Sequence, residues 1–157
     1  MAKKTDDRVI ARNRKARHDY EILETYEAGL VLVGSEVKSL RRGRGSLAES
    51  YATVRNGEVF VVDMDIPPYE EAGPSNHEPK RTRKCLLKRR EIEELAGAVS
   101  AKGLALVPLE LYWDNNYAKV RLGLARGRRA FDKREAMKKR EAAKEMRRAM
   151  SVRGRRD

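Results

Sequence analysis

The stretch from Ala105 to Leu124 constrains the fold more than any other part of the chain. Ala105, Val107, Leu109, Leu111 and Trp113 alternate on one face, and Ala118, Val120, Leu122 and Leu124 resume the alternation after Asp114-Asn115-Asn116. A period of two marks a strand with one buried face, and asparagine tolerates the positive φ of a tight turn. The segment reads as a β-hairpin. A second hairpin is expected where residues 51–55 and 58–63 flank Asn56-Gly57, a pair suited to a type I′ turn. Residues 20–26 and 29–33 are rich in strand formers. A short helix should follow, with Ser35 as its cap, Val37 and Leu40 on one face and Gly43 at its end. A longer helix is expected over about 88–100, where Ile92, Leu95, Ala96 and Val99 recur at helical spacing. Residues 64–80, with Pro67-Pro68, Gly73-Pro74 and Asn76, read as a long surface loop. Short strands, two hairpins and an intervening helix make the class mainly β with short helices. The first expectation is an OB-like antiparallel β-barrel, a fold class that often binds nucleic acid.

Charge sharpens the partner. The net charge is +12 over 157 residues. Residues 126–157 hold 14 basic and 5 acidic side chains, residues 1–21 hold 7 and 4, and residues 22–125 hold 15 of each. A neutral body with basic ends points to a polyanion, because each cation set on a phosphate releases counterions. Three segments are expected: a flexible basic arm over 1–19, an OB-like barrel over 20–127, and a basic tail over 128–157. Met137, Ala143, Met146 and Met150 give the tail a helical stripe, but its apolar area is too small to hold it against the body. The tail is therefore expected to be disordered when free and to fold on its partner.

Other classes are disfavoured. The N-terminus lacks the apolar core of a secretory signal, and no apolar run is long enough to span a bilayer. Cys85 is alone, so no internal disulfide or cysteine-based zinc site is expected. His18 and His77 show no metal-ligand spacing. His18 can stack on a base or serve the surface, and His77 is read as stabilising a turn. Gly43-Arg44-Gly45 lacks the setting of a phosphate loop, and no nucleophile has a local signature. The expectation is a cytoplasmic monomer without cofactor or metal.

Several motifs resemble one family. They are Asn13-Arg14-Lys15-Ala16-Arg17-His18-Asp19-Tyr20, Glu27-Ala28-Gly29-Leu30, and Gly34-Ser35-Glu36-Val37-Lys38-Ser39-Leu40-Arg41. Further along come Arg83-Lys84-Cys85-Leu86-Leu87, Leu111-Tyr112-Trp113, and Gly123 to Arg129 leading to Asp132-Lys133-Arg134. In this order they resemble the SmpB family of SsrA-binding proteins, over about residues 13–134. The resemblance implies an OB-fold adaptor without enzymatic activity. It would bind the tRNA-like domain of transfer-messenger RNA and reach stalled ribosomes with elongation factor Tu. The tail would enter the empty small-subunit decoding centre and the mRNA channel.

RNA-binding roles then fall on Asn13, Lys15, Arg17, His18, Glu36, Lys38, Arg41, Arg83, Lys84, Lys119 and Arg121. Ribosome-binding roles fall on Arg128, Arg129, Phe131, Asp132, Lys133, Arg134, Lys138, Lys139 and Arg140. Cys85 stands where the family usually has Leu, and Phe131 where others often have His or Tyr, which keeps a stacking surface and drops a polar handle. Glu36 keeps two readings: a first-turn carboxylate facing the helix dipole, or an acceptor for a base amino group or 2′-OH. The cations of 38–44 and 81–90 are read as a phosphate-tracking surface. Trp113 is expected in the core, with Tyr112 and Tyr117 off its register and able to stack on bases. The runner-up is a ribosomal or general RNA-binding OB protein, with a nuclease a remote third.

Overall fold

Two tight turns organise the sheet. Asn56 and Gly57 take φ of 51° and 74°, and Asn115 and Asn116 take 48° and 71°, the positive pair that a type I′ turn requires. The computed structural model describes residues 8–127 and 140–149. Its strands are β1 (Val9–Arg12), β2 (Tyr20–Leu30), β3 (Tyr51–Arg55), β4 (Glu58–Val62), β5 (Arg83–Leu86), β6 (Ala105–Asp114) and β7 (Tyr117–Gly127). The helices are α1 (Arg14–Asp19), α2 (Gly34–Arg41), α3 (Arg89–Lys102) and α4 over residues 140–149.

The architecture is a mainly antiparallel β-sheet with short helices. Strand order is β1-β6-β3-β4-β5-β2-β7, and β6 also pairs with β7. The pairings thus return on themselves through six strands, with β1 added beside β6. The seam is thin, because β3 meets β6 only at Ala52↔Leu106. Inside lie Val59, Val61, Cys85, Leu111, Val120 and Leu122, joined by Leu40 of α2 and Leu95 of α3.

A β-bulge decides the faces of β6. Pro108 pairs with Leu122 and Glu110 with Arg121, so Leu109 is the extra residue. An extra residue reverses the inside–outside alternation beyond it. Val107 and Leu109 therefore join Ala16 and Ala125 in a small second core, while Leu106 and Leu111 line the main one. The single apolar face expected from Ala105 to Trp113 is divided between two cores. Gly123 sits where this packing is tightest: a Cβ there would lie 2.9 Å from Leu109 Cδ1.

The expected flexible arm over 1–19 is corrected where the structure describes it. β1 pairs with β6, and α1 packs Ala16 into the second core. Asn13 anchors the helix, its Oδ1 accepting from Ala16 N–H at 3.1 Å while its Nδ2 donates to Pro108 O at 2.9 Å. A six-residue helix carries too little periodicity to be legible in sequence, so its stability comes from this cap and its packing. Residues 1–7 lie outside the described residues.

The loop over 64–80 is also less external than expected. Met64 and Ile66 are fully buried, and Ser39 Oγ donates to Pro67 O at 2.6 Å. The cap of α2 is Val33 rather than Ser35: Glu36 reaches back to accept from Val33 N–H at 2.9 Å. The long helix ends where Gly103 adopts a left-handed φ of 64°, the usual stop for a helix. In the tail, residues 140–149 are helical, as the stripe implied. Every one of their side chains is exposed, consistent with their small apolar area.

Candidate nucleic-acid interface

Alternation along β2, β6 and β7 builds a polar outer face. Inward residues such as Ala28, Leu111 and Val120 fill the core, so Glu27, Tyr112, Lys119 and Arg121 point outward together. Glu27 lies opposite Arg121, Gly29 opposite Lys119, and Glu110 opposite Arg121. The Tyr112 hydroxyl donates to Glu27 Oε1 at 2.5 Å. Lys119 Nζ lies 2.9 Å from Asp114 Oδ2 and 3.8 Å from Glu27 Oε1. Arg121 lies over the Tyr112 ring, 5.3 Å from its centroid. From α1, Arg17 reaches Glu110 at 3.5 Å and extends the strip. Leu86 of β5, 55% exposed, closes the other end, where it packs over Gly29 with a 3.4 Å approach to the position of a Cβ.

The electrostatics suit a polyanion with hydrogen-bonding edges. Burial, then the bond to Glu27, raises the Tyr112 pKa, so the phenol stays protonated and donates. The bond to Asp114 raises the Lys119 pKa and keeps the amine charged. Glu27, about half exposed, retains one oxygen beyond the Tyr112 bond. It can accept from a base amino group or a sugar hydroxyl while Lys119, Arg121 and Arg17 face phosphate.

Glu36 is elsewhere and does other work. It is fully buried, as is Arg83. Its Oε2 accepts from Arg83 Nε at 2.5 Å, and its Oε1 accepts from Arg81 Nη2 at 2.5 Å. Arg83 spends its other donors on Met64 O at 2.5 Å and Pro79 O at 2.9 Å. Burial alone would raise the Glu36 pKa, but bonds from Arg81, the Val33 N–H and Arg83 outweigh it and hold the carboxyl below its usual range. The cluster ties α2, β5 and the 64–80 loop into one piece. His77 adds to it: its Nε2–H donates to Ile66 O at 2.7 Å, and in the neutral ring Nδ1 accepts from Ser35 Oγ at 2.8 Å. The expected roles of Glu36 and Arg83 as RNA contacts are therefore corrected, since neither reaches solvent. Asn13 is corrected for the same reason, 6% exposed with its amide already paired.

The other expected contacts divide into groups. Lys119 and Arg121 lie on the strip. Lys15, Arg17 and His18 are exposed on α1, and His18 pairs with Asp19 at 3.1 Å. Lys84 pairs with Glu58 at 3.0 Å, on the outer face of β4 and β5. Lys38 and Arg42 approach the Tyr69 ring at 5.7 and 4.5 Å, and Arg41 lies 5.5 Å from the Trp113 ring. These form a second basic surface on α2. The run over 81–90 is not one surface: Arg83 is internal, Arg81 is tied to Glu36, and Lys88, Arg89 and Arg90 are exposed. Tyr112 is only 2% exposed, because β1 lies beside it at Val9↔Tyr112 and Arg121 covers its ring. Tyr117, 72% exposed, is available for stacking. Of the tail residues, Arg140 begins α4 and is exposed. Arg128, Arg129, Phe131, Asp132, Lys133, Arg134, Lys138 and Lys139 lie outside the described residues. Glu27 is the functional candidate that single-residue reasoning passed over. Its outward register on β2 and its place in the Glu27-Ala28-Gly29-Leu30 motif were the available signals.

A family model described as SmpB protein matches residues 10–152. The chain belongs to the SmpB family. SmpB is an RNA-binding family, not an enzyme family. An SsrA-binding protein of Carboxydothermus hydrogenoformans is 54% identical over 147 residues, covering 94% of this chain and 99% of that one. One from Geobacillus thermodenitrificans is 55% identical over 150 residues, covering 96% and 97%. A solved chain, from a structure described as "tmRNA-SmpB: a journey to the center of the bacterial ribosome", is 53% identical with a TM-score of 0.62. It covers 74% of this chain and 82% of its own length.

Proposed function

We propose that the protein is an adaptor for trans-translation: it binds the tRNA-like domain of transfer-messenger RNA and, with elongation factor Tu, brings it to stalled ribosomes in the cytoplasm. The observation that carries this reading is the outer strip, where the partly exposed Glu27 carboxylate is held among Tyr112, Lys119 and Arg121. Cations alone would follow any phosphate backbone. An acidic acceptor fixed among them adds a demand for donors from bases or sugars, which favours one folded RNA over bulk RNA. Relatives named SsrA-binding protein and the likeness to a chain from a tmRNA-SmpB structure support the same partner.

The tail has the complementary role. Arg128, Arg129, Phe131 and the basic residues from Lys133 to Arg140 would occupy the decoding centre and mRNA channel, where rRNA phosphates surround them. No helix among the described residues is long and apolar enough to cross a membrane.

Sequencing the RNA that co-purifies with the full chain tests the assignment. One structured, alanine-accepting RNA is the expected result, and bulk rRNA alone would favour a general RNA-binding protein. Deleting everything after Phe131 separates the two halves. RNA binding should survive and peptide tagging on ribosomes lacking a stop codon should be lost; continued tagging would refute the role of the tail.

A further inference from the structure

The outer strip is balanced in charge on a chain that is not. The protein carries +12, but the strip sets three cations, Arg17, Lys119 and Arg121, among three carboxylates, Glu27, Glu110 and Asp114. Two of the cations are already engaged: Arg17 lies 3.5 Å from Glu110, and Lys119 lies 2.9 Å from Asp114. The second pair follows from the hairpin. Asn115 and Asn116 close the turn with positive φ, so Asp114 ends β6 directly opposite Tyr117. Lys119 is then its diagonal neighbour on the same outer face, within reach of a long side chain. Glu27 Oε1, which already accepts from Tyr112, is the looser partner of the same amine at 3.8 Å. The side chains of the tight pair are 29% and 31% exposed, so an arriving ligand meets the pair itself.

We propose that Asp114 sets the selectivity of the strip, as a positioning residue that withholds Lys119 from phosphates arriving without hydrogen-bond donors. This rests on the reading of the strip as the RNA contact and adds how unwanted RNA is refused there. A phosphate that takes Lys119 pulls it from Asp114 and leaves that carboxylate, with Glu27 nearby, facing an anion. Like charges brought together in this way count against the wrong ligand. A folded RNA that sets a base amino group or a 2′-OH beside the released carboxylate satisfies it again. A flexible strand also carries hydroxyls, but it must lose conformational freedom to place one there.

The test compares the full chain with its Asp114→Asn variant, which keeps an oxygen acceptor and removes the charge. Two probes are titrated: the tRNA-like domain of transfer-messenger RNA, and oligouridine, which has phosphates but no base amino group and no fixed fold. The affinity ratio of the first to the second should fall about fivefold, the upper range for an exposed ion pair, with the melting temperature unchanged. On adding oligouridine, the side-chain NMR signals of Lys119 should shift far more in the variant than in the parent chain. The log–log salt slope for oligouridine should steepen by about 0.7, one more single-strand phosphate contact. Asp114→Glu should restore the parent ratio. In a Lys119→Ala background, Asp114→Asn should lose most of its effect, since it acts through that amine. A ratio unchanged, whether neither affinity moves or both rise alike, or an effect undiminished without Lys119, overturns the proposal. Lys119→Ala alone reports on the reading beneath it. Unchanged affinity for the tRNA-like domain removes the strip as the RNA contact, whereas a loss there with no effect of Asp114→Asn overturns the role of Asp114 only.

Discussion

Replacing Glu36 exposes what the buried cluster is for. Glu36 and Arg83 are both fully buried and share a 2.5 Å bond. In Glu36→Ala the Arg83 guanidinium keeps Met64 O and Pro79 O but loses its counter-charge. Breaking a buried pair from one side costs about 3–5 kcal/mol, because a charge remains in a medium that cannot solvate it. Against a typical total of about 5–15 kcal/mol that is a large fraction. With a urea slope of about 2 kcal/mol per M, the midpoint should fall by about 2 M.

Glu36→Gln keeps the shape and an acceptor, and should lose about 1.5–3 kcal/mol, the worth of bonds to a charged group. The double variant Glu36→Leu, Arg83→Met removes both charges and should recover most of the loss. The pH dependence has a fixed sign. The folded-state pKa of Glu36 lies below its unfolded value of about 4.3. Its contribution is therefore fully present above that value and is lost as pH falls through the folded pKa. Urea titration by circular dichroism from pH 7 to pH 3 measures all of this. RNA affinity, compared under conditions where both proteins are folded, should be unchanged in Glu36→Gln. A cost below about 1 kcal/mol for Glu36→Ala, no recovery in the double variant, or loss of RNA affinity in a folded Glu36→Gln would refute the reasoning.

Glu27→Gln should leave the melting temperature nearly unchanged and weaken binding to the structured RNA, measured by filter binding; equal affinity would remove Glu27 from the interface. Affinity for that RNA should fall steeply with salt, each phosphate contact adding about −0.9 to the log–log slope by analogy with duplex DNA, and a flat response would discard the strip. Gly123→Ala should cost about 1–3 kcal/mol, because its Cβ would lie 2.9 Å from Leu109 Cδ1 in a tight core, and thermal unfolding reads the loss. Cys85 should resist alkylation at pH 8 until urea unfolds the protein, since burial pushes its thiol to about 12.

Local chemistry carried much of the fold. Asn56-Gly57 and Asn115-Asn116 form their turns because only a few residue types accept the dihedrals. The expected α3 appears over Arg89–Lys102 because its apolar spacing matches the helical repeat. Along β7 the alternation of Ala118, Val120 and Leu122 with Lys119 and Arg121 is uninterrupted, so the outward placement of those cations was legible residue by residue. Motif order was enough to identify the family.

What sequence could not decide depended on partners far along the chain. Glu36 meets Arg81 and Arg83 across 45 and 47 positions, and nothing near Glu36 distinguishes a buried carboxylate from an exposed one. Leu109 looks like any other member of its alternation until β7 fixes the pairing on either side and makes it the bulge. Tyr112 loses its exposure because β1 arrives beside it and Arg121 covers its ring. Charge, turn and period are properties of a residue and its neighbours, so the sequence by itself determined the class, the hairpins and the polyanionic partner. Burial and ion pairing are properties of closure, and only the closed sheet decided that Glu36 became an internal tie and left Glu27 facing solvent.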